Sequence, residues 1–521
     1  MKSKRIFPIL LILSTFVISG CGKTSSVSEY SENKESKIDS SLNTTSEDIP
    51  GSKPSSSQEA ISSVKPISSS EELSSSEPAS SSLPPVTEYL RKDVCIELAP
   101  MLRDAGSSYY DYYTYDDEFF LSDPKDYNEE LSKLSLGTTF ATATEMYGTF
   151  FFEDIEFDHV VCHDYDGNPT EDTIGYFFGH RHIGEVDIVA VFIRGFNYGK
   201  EWANNFLIGK EGDHEGFNTR AQEIHQALKD YIPRLALYYP ISCSTVKLWL
   251  TGYSRGGAVA NSLASLIMKD TRFTNASDNM YVYTFEAPAS LCEENAIAYP
   301  NVHNIINEAD IITFIPPTQY GLHRCGVDYP IYNEDISTLI KSFDEEIEIP
   351  EFKAITDLTS EPLDSDAKVR DYVLTSIFEK DESSSSDKSI FANTREEYVD
   401  NYQDGIGSGI GYIFALSSET RSAMLTAIQN MGFGAYTIIG DTSGTALKNF
   451  IQPYLDQDNV EYDEDELLSD CAVLIKAVQN LFLQVLLMYL SEDYKPSLDR
   501  LLDMHYPEVT YTLLKYAHEQ D

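Results

Sequence analysis

A serine flanked by glycines is the first candidate for chemistry in this sequence. The segment TGYSRGGAVAN, residues 251–261, places Ser254 between Gly252 and Gly256. The apolar run VKLWLTG before it predicts a buried strand, and GGAVANSLASL after it predicts a helix. A serine at such a junction occupies a strained turn that exposes its hydroxyl, and glycines two positions away on either side avoid a clash. The pattern predicts a nucleophile at Ser254, with a helix-starting serine in a tight turn as the alternative.

A serine nucleophile requires a general base, and the base requires an orienting acid. Behind an elbow of this kind the chain order is Ser, then Asp, then His. Asp310 follows an apolar strand and is the predicted acid, with Glu308 as a nearby alternative. The histidines after Asp310 are His323, His505 and His518. His323 follows Asp310 by only 13 residues, barely the dozen that a crossover between parallel strands needs, so His505 is the preferred base.

The segments around these residues alternate between strands and helices. Nearly continuous apolar runs at 186–195, 246–252 and 279–288, and a fourth beginning at 301, predict buried strands. The intervening segments have apolar residues at helical spacing, Ala221, Ile224, Leu228 and Ile232 in the first of them. Alternation of this kind predicts a mainly parallel α/β sheet with helices on its faces.

The chain between the predicted acid and base is long. Residues 330–465 include acidic stretches and the polar run KDESSSSDKS, and we expect a mostly helical insertion that covers the active site in part and gates access. Residues 471–490 are apolar enough to suggest a membrane helix. However, Lys476, Asn480 and Gln484 form a polar stripe along it, which favours a buried amphipathic helix.

The N-terminus predicts export. Lys2, Lys4 and Arg5 precede a short apolar core and the sequence ISGC, which ends at Cys21. Residues 1–20 therefore read as a signal peptide that resembles those of bacterial lipoproteins, in which the cysteine becomes lipidated. An ordinary signal peptide is the alternative. Residues 21–86 are rich in serine and predict a disordered tether, and the folded domain then spans 87–521. We expect a protein anchored by lipid on the outer side of a bacterial cell membrane.

Composition excludes some partners. The 84 acidic residues against 38 basic ones give a net charge of −46, which opposes nucleic-acid binding. Beyond Cys21 the cysteines are widely spaced and predict neither a metal cluster nor a particular pairing; they are Cys95, Cys162, Cys243, Cys292, Cys325 and Cys471. A metal site at His180, His182 and His214 is a weak alternative, since a His-Arg-His run on a strand usually faces solvent. We expect no cofactor.

Four motifs in one order resemble the class 3 lipases, the fungal triacylglycerol-lipase-like branch of the α/β hydrolases. They are VFIRGF at 191–196, HEGF at 214–217, GYSRGGAVA at 252–260 and YTFEAP at 283–288. The resemblance implies an α/β-hydrolase fold, a Ser254–His505–Asp310 triad and hydrolysis of lipid or other carboxylic esters. It also implies an oxyanion hole built from the backbone N–H groups of Phe196 and Arg255.

The chain departs from this family at three positions beside the nucleophile. The family usually has His before the serine and Leu after it, where this chain has Tyr253 and Arg255, and Thr or Ser where it has Phe196. These departures leave two alternatives open. One is a surface binding or adhesion protein on a hydrolase scaffold. The other is the same nucleophile acting on amides, thioesters or another acyl acceptor.

Overall fold

The computed structural model describes residues 116–142, 148, 151–152, 155–165, 173–195, 200–308, 310–331, 393–431, 435–490, 505, 510 and 513–514. The predicted signal peptide at 1–20, Cys21, the tether at 21–86, Cys95, Phe196 and His518 lie outside these residues, as do positions 332–392 of the expected insertion.

A seven-stranded sheet organises the described residues. Its strands lie in the order β1-β2-β3-β4-β5-β7-β9, and a separate small sheet pairs β6 with β8. The strands are β1 His159–His163, β2 Tyr176–Ile183, β3 Val186–Ile193, β4 Lys247–Tyr253, β5 Met280–Phe285, β6 Leu291–Cys292, β7 Val302–Ile306, β8 Leu322–His323 and β9 Val327–Pro330. From β3 to β9 all pairs are parallel, whereas β1 and β2 add an antiparallel edge. The prediction of a mainly parallel α/β sheet is confirmed.

Helices cover both faces of the sheet and continue into the region after residue 393. They are α1 Glu129–Ala141, α2 Glu215–Leu235, α3 Arg255–Lys269, α4 Ala276–Asn279, α5 Arg395–Tyr398, α6 Asp404–Ala415, α7 Ser418–Met431, α8 Ala435–Ile439, α9 Thr445–Gln457 and α10 Glu464–Leu490. Short 3₁₀ turns form at Asp117–Leu121, Lys200–Phe206, Ile311–Phe314 and Thr318–Tyr320, and a π-helical turn at Val399–Gln403 separates α5 from α6.

An apolar core lies on each face of the sheet, between the strands and the helices that cover them. On one face α2 and α3 contribute the buried residues Ala221, Ile224, Leu228, Val259 and Leu263. On the other face Trp249 packs against Phe120 and Phe192 and donates its indole N–H to Ser135 of α1. Because β4 is central and buried on both faces, the position of its carboxyl end is well constrained.

The sequence-based expectation for the His-Arg-His run is wrong at two of its three positions. His180 and Arg181 are buried, and only His182 is partly exposed. His180 and His182 both bond to the Asp187 carboxylate at 2.9 Å, while Arg181 pairs with Asp117. β2 is buried along most of its length, so the polar residues of this run do not mark a solvated face.

Polar contacts attach the helical region after residue 393 to the loop at residues 208–213, which precedes α2. The guanidinium of Arg395 donates to carbonyls of the 208–213 loop, including Gly209 at 2.6 Å and Ile208 at 3.0 Å. The Gln403 side-chain oxygen accepts from the N–H groups of Ile208 and Gly209. A cluster that joins α6 and α10 to the 200–208 segment completes the contact.

The apolar segment at 471–490 lies in α10. No helix in the described part of the chain is long and apolar enough to cross a membrane. The five cysteines in that part are free thiols: Cys162, Cys243, Cys292, Cys325 and Cys471.

Candidate active site

Ser254 occupies a strained turn between β4 and α3. Its backbone has φ 52° and ψ −122°, a combination that L-residues rarely adopt. The two flanking glycines are required by the packing. A Cβ on Gly252 would lie 2.3 Å from the Gly256 carbonyl oxygen, and one on Gly256 would lie 2.3 Å from that of Ile193. The glycine spacing in the sequence therefore produces an elbow whose serine hydroxyl points away from the sheet.

His505 and Asp310 lie beside that hydroxyl. His505 Nε2 is 2.8 Å from Ser254 Oγ, and His505 Nδ1 is 2.5 Å from Asp310 Oδ2. The chain of contacts runs from hydroxyl to imidazole to carboxylate across 251 sequence positions. With Nδ1–H donating to Asp310, the Nε2 lone pair faces the serine hydroxyl, which is the tautomer that general-base catalysis requires.

The loop after β7 holds Asp310 in a fixed orientation. Its side chain is fully buried, and its second oxygen, Oδ1, accepts the Ile312 N–H at 2.9 Å at the start of a 3₁₀ turn. Glu308, the nearby alternative acid, is exposed. His323, the alternative base, is exposed on β8, where it pairs with Leu291. Of the competing residues, the structure brings Asp310 and His505 to Ser254.

Tyr253 is directed into the protein. Its hydroxyl donates to the carbonyl oxygen of His505 at 2.9 Å and lies 3.2 Å from Thr510 Oγ1. The tyrosine ring lies 5.5 Å from the imidazole, between centroids. The residue that replaces the family's usual histidine therefore supports the segment that carries the base.

Arg255 is also directed inward. Its side chain is 1% exposed and donates to Glu201 Oε2 at 3.0 Å and to the Thr173 carbonyl at 3.1 Å. Arg194 binds the other oxygen of Glu201 at 2.5 Å. This Arg194–Glu201–Arg255 cluster joins the N-terminus of α3 to the residues on either side of positions 196–199, called the 196 segment below.

The predicted oxyanion hole is described on one side only. Arg255 is the first residue of α3, so its backbone N–H lies at the positive end of the helix dipole. Phe196 lies outside the described residues. Gly195, just before it, is so close to the elbow that a Cβ there would be 1.7 Å from the Tyr253 carbonyl oxygen. The chain therefore enters the 196 segment directly beside the nucleophile turn.

A second buried carboxyl group lies next to Asp310. Glu286 is fully buried directly after β5, and its φ of 48° lies in the left-handed region. Burial and the adjacent Asp310 raise the pKa of Glu286 well above its usual value. Sequence reasoning missed this residue, although a signal exists: Glu286 occupies the glycine position of the family's Tyr-Thr-Phe-Gly-x-Pro motif.

The histidine of the HEGF motif caps a helix. His214 Nδ1 accepts the Phe217 N–H at 3.4 Å at the start of α2, and the two rings stack with centroids 3.9 Å apart. Burial lowers the pKa of His214 to about 3, so the ring is neutral. Among the described residues, no group of three or more His, Cys, Asp or Glu side chains is arranged to hold a metal ion.

Residues 190–320 match the sequence model of the class 3 lipase family. No curated protein matches the chain significantly. Among solved structures, the triacylglyceride lipase of Rhizomucor miehei aligns at 18% identity and TM-score 0.31, covering 40% of this chain and 83% of the lipase. A lipase from Rhizopus microsporus var. chinensis aligns at 15% identity and TM-score 0.29, covering 39% and 74% respectively.

The family match covers the segment that contains the elbow, the Arg-Gly strand end and the predicted acid. The mostly parallel central sheet with helices on both faces fits the α/β-hydrolase fold. Together with the family match, the predictions of this fold and of a lipase-type serine ester hydrolase are confirmed. The roles of the individual residues stay predictions.

Proposed function

We propose that Ser254, His505 and Asp310 are the catalytic triad of an extracytoplasmic, lipid-anchored carboxylic-ester hydrolase. The observation that carries the proposal is the unbroken contact chain from Ser254 Oγ to His505 and on to Asp310, at 2.8 and 2.5 Å. No other cluster is needed for the chemistry, because acyl transfer by a serine uses only a base, an orienting acid and N–H donors for the oxyanion.

The reaction follows from the positions of these atoms. Ser254 Oγ attacks the acyl carbonyl carbon while His505 Nε2 takes its proton. The negative charge on the carbonyl oxygen is stabilised by the Arg255 N–H at the positive end of α3, with the Phe196 N–H as the second donor that the family resemblance implies. His505 then gives the proton to the departing alcohol oxygen. Water, activated by the same imidazole, cleaves the acyl-enzyme, and Asp310 stabilises the imidazolium in both steps.

A serine-directed fluorophosphonate probe tests this proposal. We expect covalent labelling of the wild-type chain and none of Ser254→Ala. Absence of labelling in correctly folded wild-type protein would favour the alternative of a surface binding protein. That alternative drew on the unusual residues at 253 and 255, whose side chains instead bond to His505 and Glu201. The rates of hydrolysis of an ester, an amide and a thioester that carry the same acyl group show which class of substrate the protein prefers.

The natural substrate is proposed to be a lipid or another hydrophobic ester. The family match supports a lipase-type substrate. The helical region after 393 packs on the 3₁₀ turn at Lys200–Phe206, which directly follows residues 196–199 in sequence. This packing supports a role for the insertion in covering the site. Rates on short-chain and long-chain acyl esters measure this selectivity directly.

Membrane attachment through Cys21 is the remaining part of the proposal, and the ISGC sequence supports it. Cys21→Ser is expected to move the protein from the detergent phase to the aqueous phase on detergent phase partitioning, because the acyl chains are lost. Cys95→Ser is the matched control and should partition as the wild type does. A Cys21→Ser chain that stays in the detergent phase would exclude this anchor.

A further inference from the structure

The Glu286 carboxyl group is placed where an ordinary glutamate would be unstable. It is fully buried, and the carboxyl lies within hydrogen-bonding reach of the Asp310 carboxyl. Its backbone is also held at φ 48°, with its N–H donating to the Ile305 carbonyl at 3.0 Å. A non-glycine residue in the left-handed region and a desolvated carboxyl pair both cost stability, so a structural role alone does not explain this side chain.

Burial and the neighbouring Asp310 carboxyl both raise the pKa of Glu286 well above its usual value. Asp310 Oδ2 faces the His505 imidazole. Among the described residues, the Tyr253 phenol also faces this site, through the Thr510 hydroxyl. The nearby Arg324 guanidinium donates to the carbonyls of Ala287 and Thr313 and pairs with Asp328. The raised pKa of Glu286 therefore keeps its carboxyl group protonated near neutral pH.

Glu286 also connects to the segment that carries the base. Its Oε1 accepts the Thr510 hydroxyl at 2.8 Å, and its Oε2 accepts the Asn307 N–H at 2.8 Å. Thr510 Oγ1 lies 3.2 Å from the Tyr253 hydroxyl, which donates to the His505 carbonyl. One side chain thus binds the loop that carries Asp310, through the Asn307 N–H, and the C-terminal segment that carries His505, through the Thr510 hydroxyl.

We propose that Glu286 is a positioning residue of the triad: its buried carboxyl binds the loop that carries Asp310 and the C-terminal segment that carries His505, and so keeps both residues in register with Ser254. The inference rests on the proposed triad. A neutral acid suits this place because it adds no second negative charge beside the imidazole.

The pH dependence of stability tests the proton on Glu286. Above about pH 4.5 the unfolded chain ionises this group while the folded chain keeps it neutral, so folding takes up one proton. The stability that the protonated Glu286 contributes is fully present below about pH 4.5, and it is lost as the pH rises through the raised pKa of the folded protein. Glu286→Gln cannot ionise. The ratio of the wild-type unfolding constant to that of Glu286→Gln should therefore rise about tenfold per pH unit above about pH 5. A ratio that stays constant up to about pH 8 would overturn the proposal.

Activity tests the positioning role. Glu286→Gly introduces the family's usual residue and relieves the left-handed backbone, so this variant should fold, yet we expect kcat to fall about tenfold to hundredfold with KM unchanged. Glu286→Gln keeps a neutral polar group and should stay within about threefold of wild type. Wild-type kcat in Glu286→Gly would remove the positioning role. Failure of the triad itself is distinguished by wild-type protein that resists the fluorophosphonate probe.

Discussion

Ser254→Ala is expected to lower kcat on a short-chain ester by about 10⁴- to 10⁶-fold. The variant lacks the attacking oxygen, whereas the elbow, the Arg255 N–H and the substrate surface are kept, so KM should change little. A residual rate above that of water is expected, because oxyanion stabilisation and binding do not need the hydroxyl.

The effects of the three triad residues should not add. His505→Ala combined with Ser254→Ala should be no slower than Ser254→Ala alone, because the base has no function without the nucleophile. Ser265→Ala is the matched control: Ser265 lies on the same helix α3, and its hydroxyl bonds the Asn295 carbonyl away from the triad. Retention of more than about one hundredth of wild-type kcat in Ser254→Ala would place the nucleophile elsewhere.

Glu201→Ala is expected to destabilise the protein by about 3–5 kcal/mol, the largest stability effect predicted here. Glu201 is fully buried and is the shared carboxylate of Arg194 and Arg255. Its removal leaves two guanidinium groups in the interior without their counter-charge. Because the cluster flanks the 196 segment and the start of α3, we also expect a lower kcat in whatever fraction remains folded.

Denaturant unfolding of Glu201→Ala and Glu223→Ala measures this effect. Glu223 pairs with Arg220 at 3.0 Å but its side chain is 44% exposed, so loss of that pair should cost about 0–1 kcal/mol. Equal changes in the free energy of unfolding for the two variants would show that the Arg194–Glu201–Arg255 cluster is no more important than a surface ion pair.

The strained turn at Ser254 could be predicted from sequence because its steric demands are local. Steric demands fix the glycines around Ser254, and chain order with crossover length favours His505 over His323. The parallel sheet was likewise visible in the apolar runs. For the turn and the sheet, the decisive residues are neighbours in sequence or belong to regular elements.

The inward directions of Tyr253 and Arg255 could not be predicted, because their partners Thr510 and Glu201 are brought to them only by folding. The same holds for Glu286, whose partners come from the loop after β7 and from the C-terminal segment. For His180 and Arg181 the strand pattern was misleading, because their burial depends on Asp187 and Asp117 and not on alternation.

The rate of fluorophosphonate labelling in His505→Ala, compared with His323→Ala, tests the proposed triad most directly. The probe reports the activation of Ser254 itself, independent of the natural substrate. We expect His323→Ala to react at the wild-type rate and His505→Ala to react about 10²- to 10⁴-fold more slowly, the contribution of a general base. Wild-type labelling in His505→Ala, or its loss in His323→Ala, would contradict the Ser254–His505–Asp310 triad.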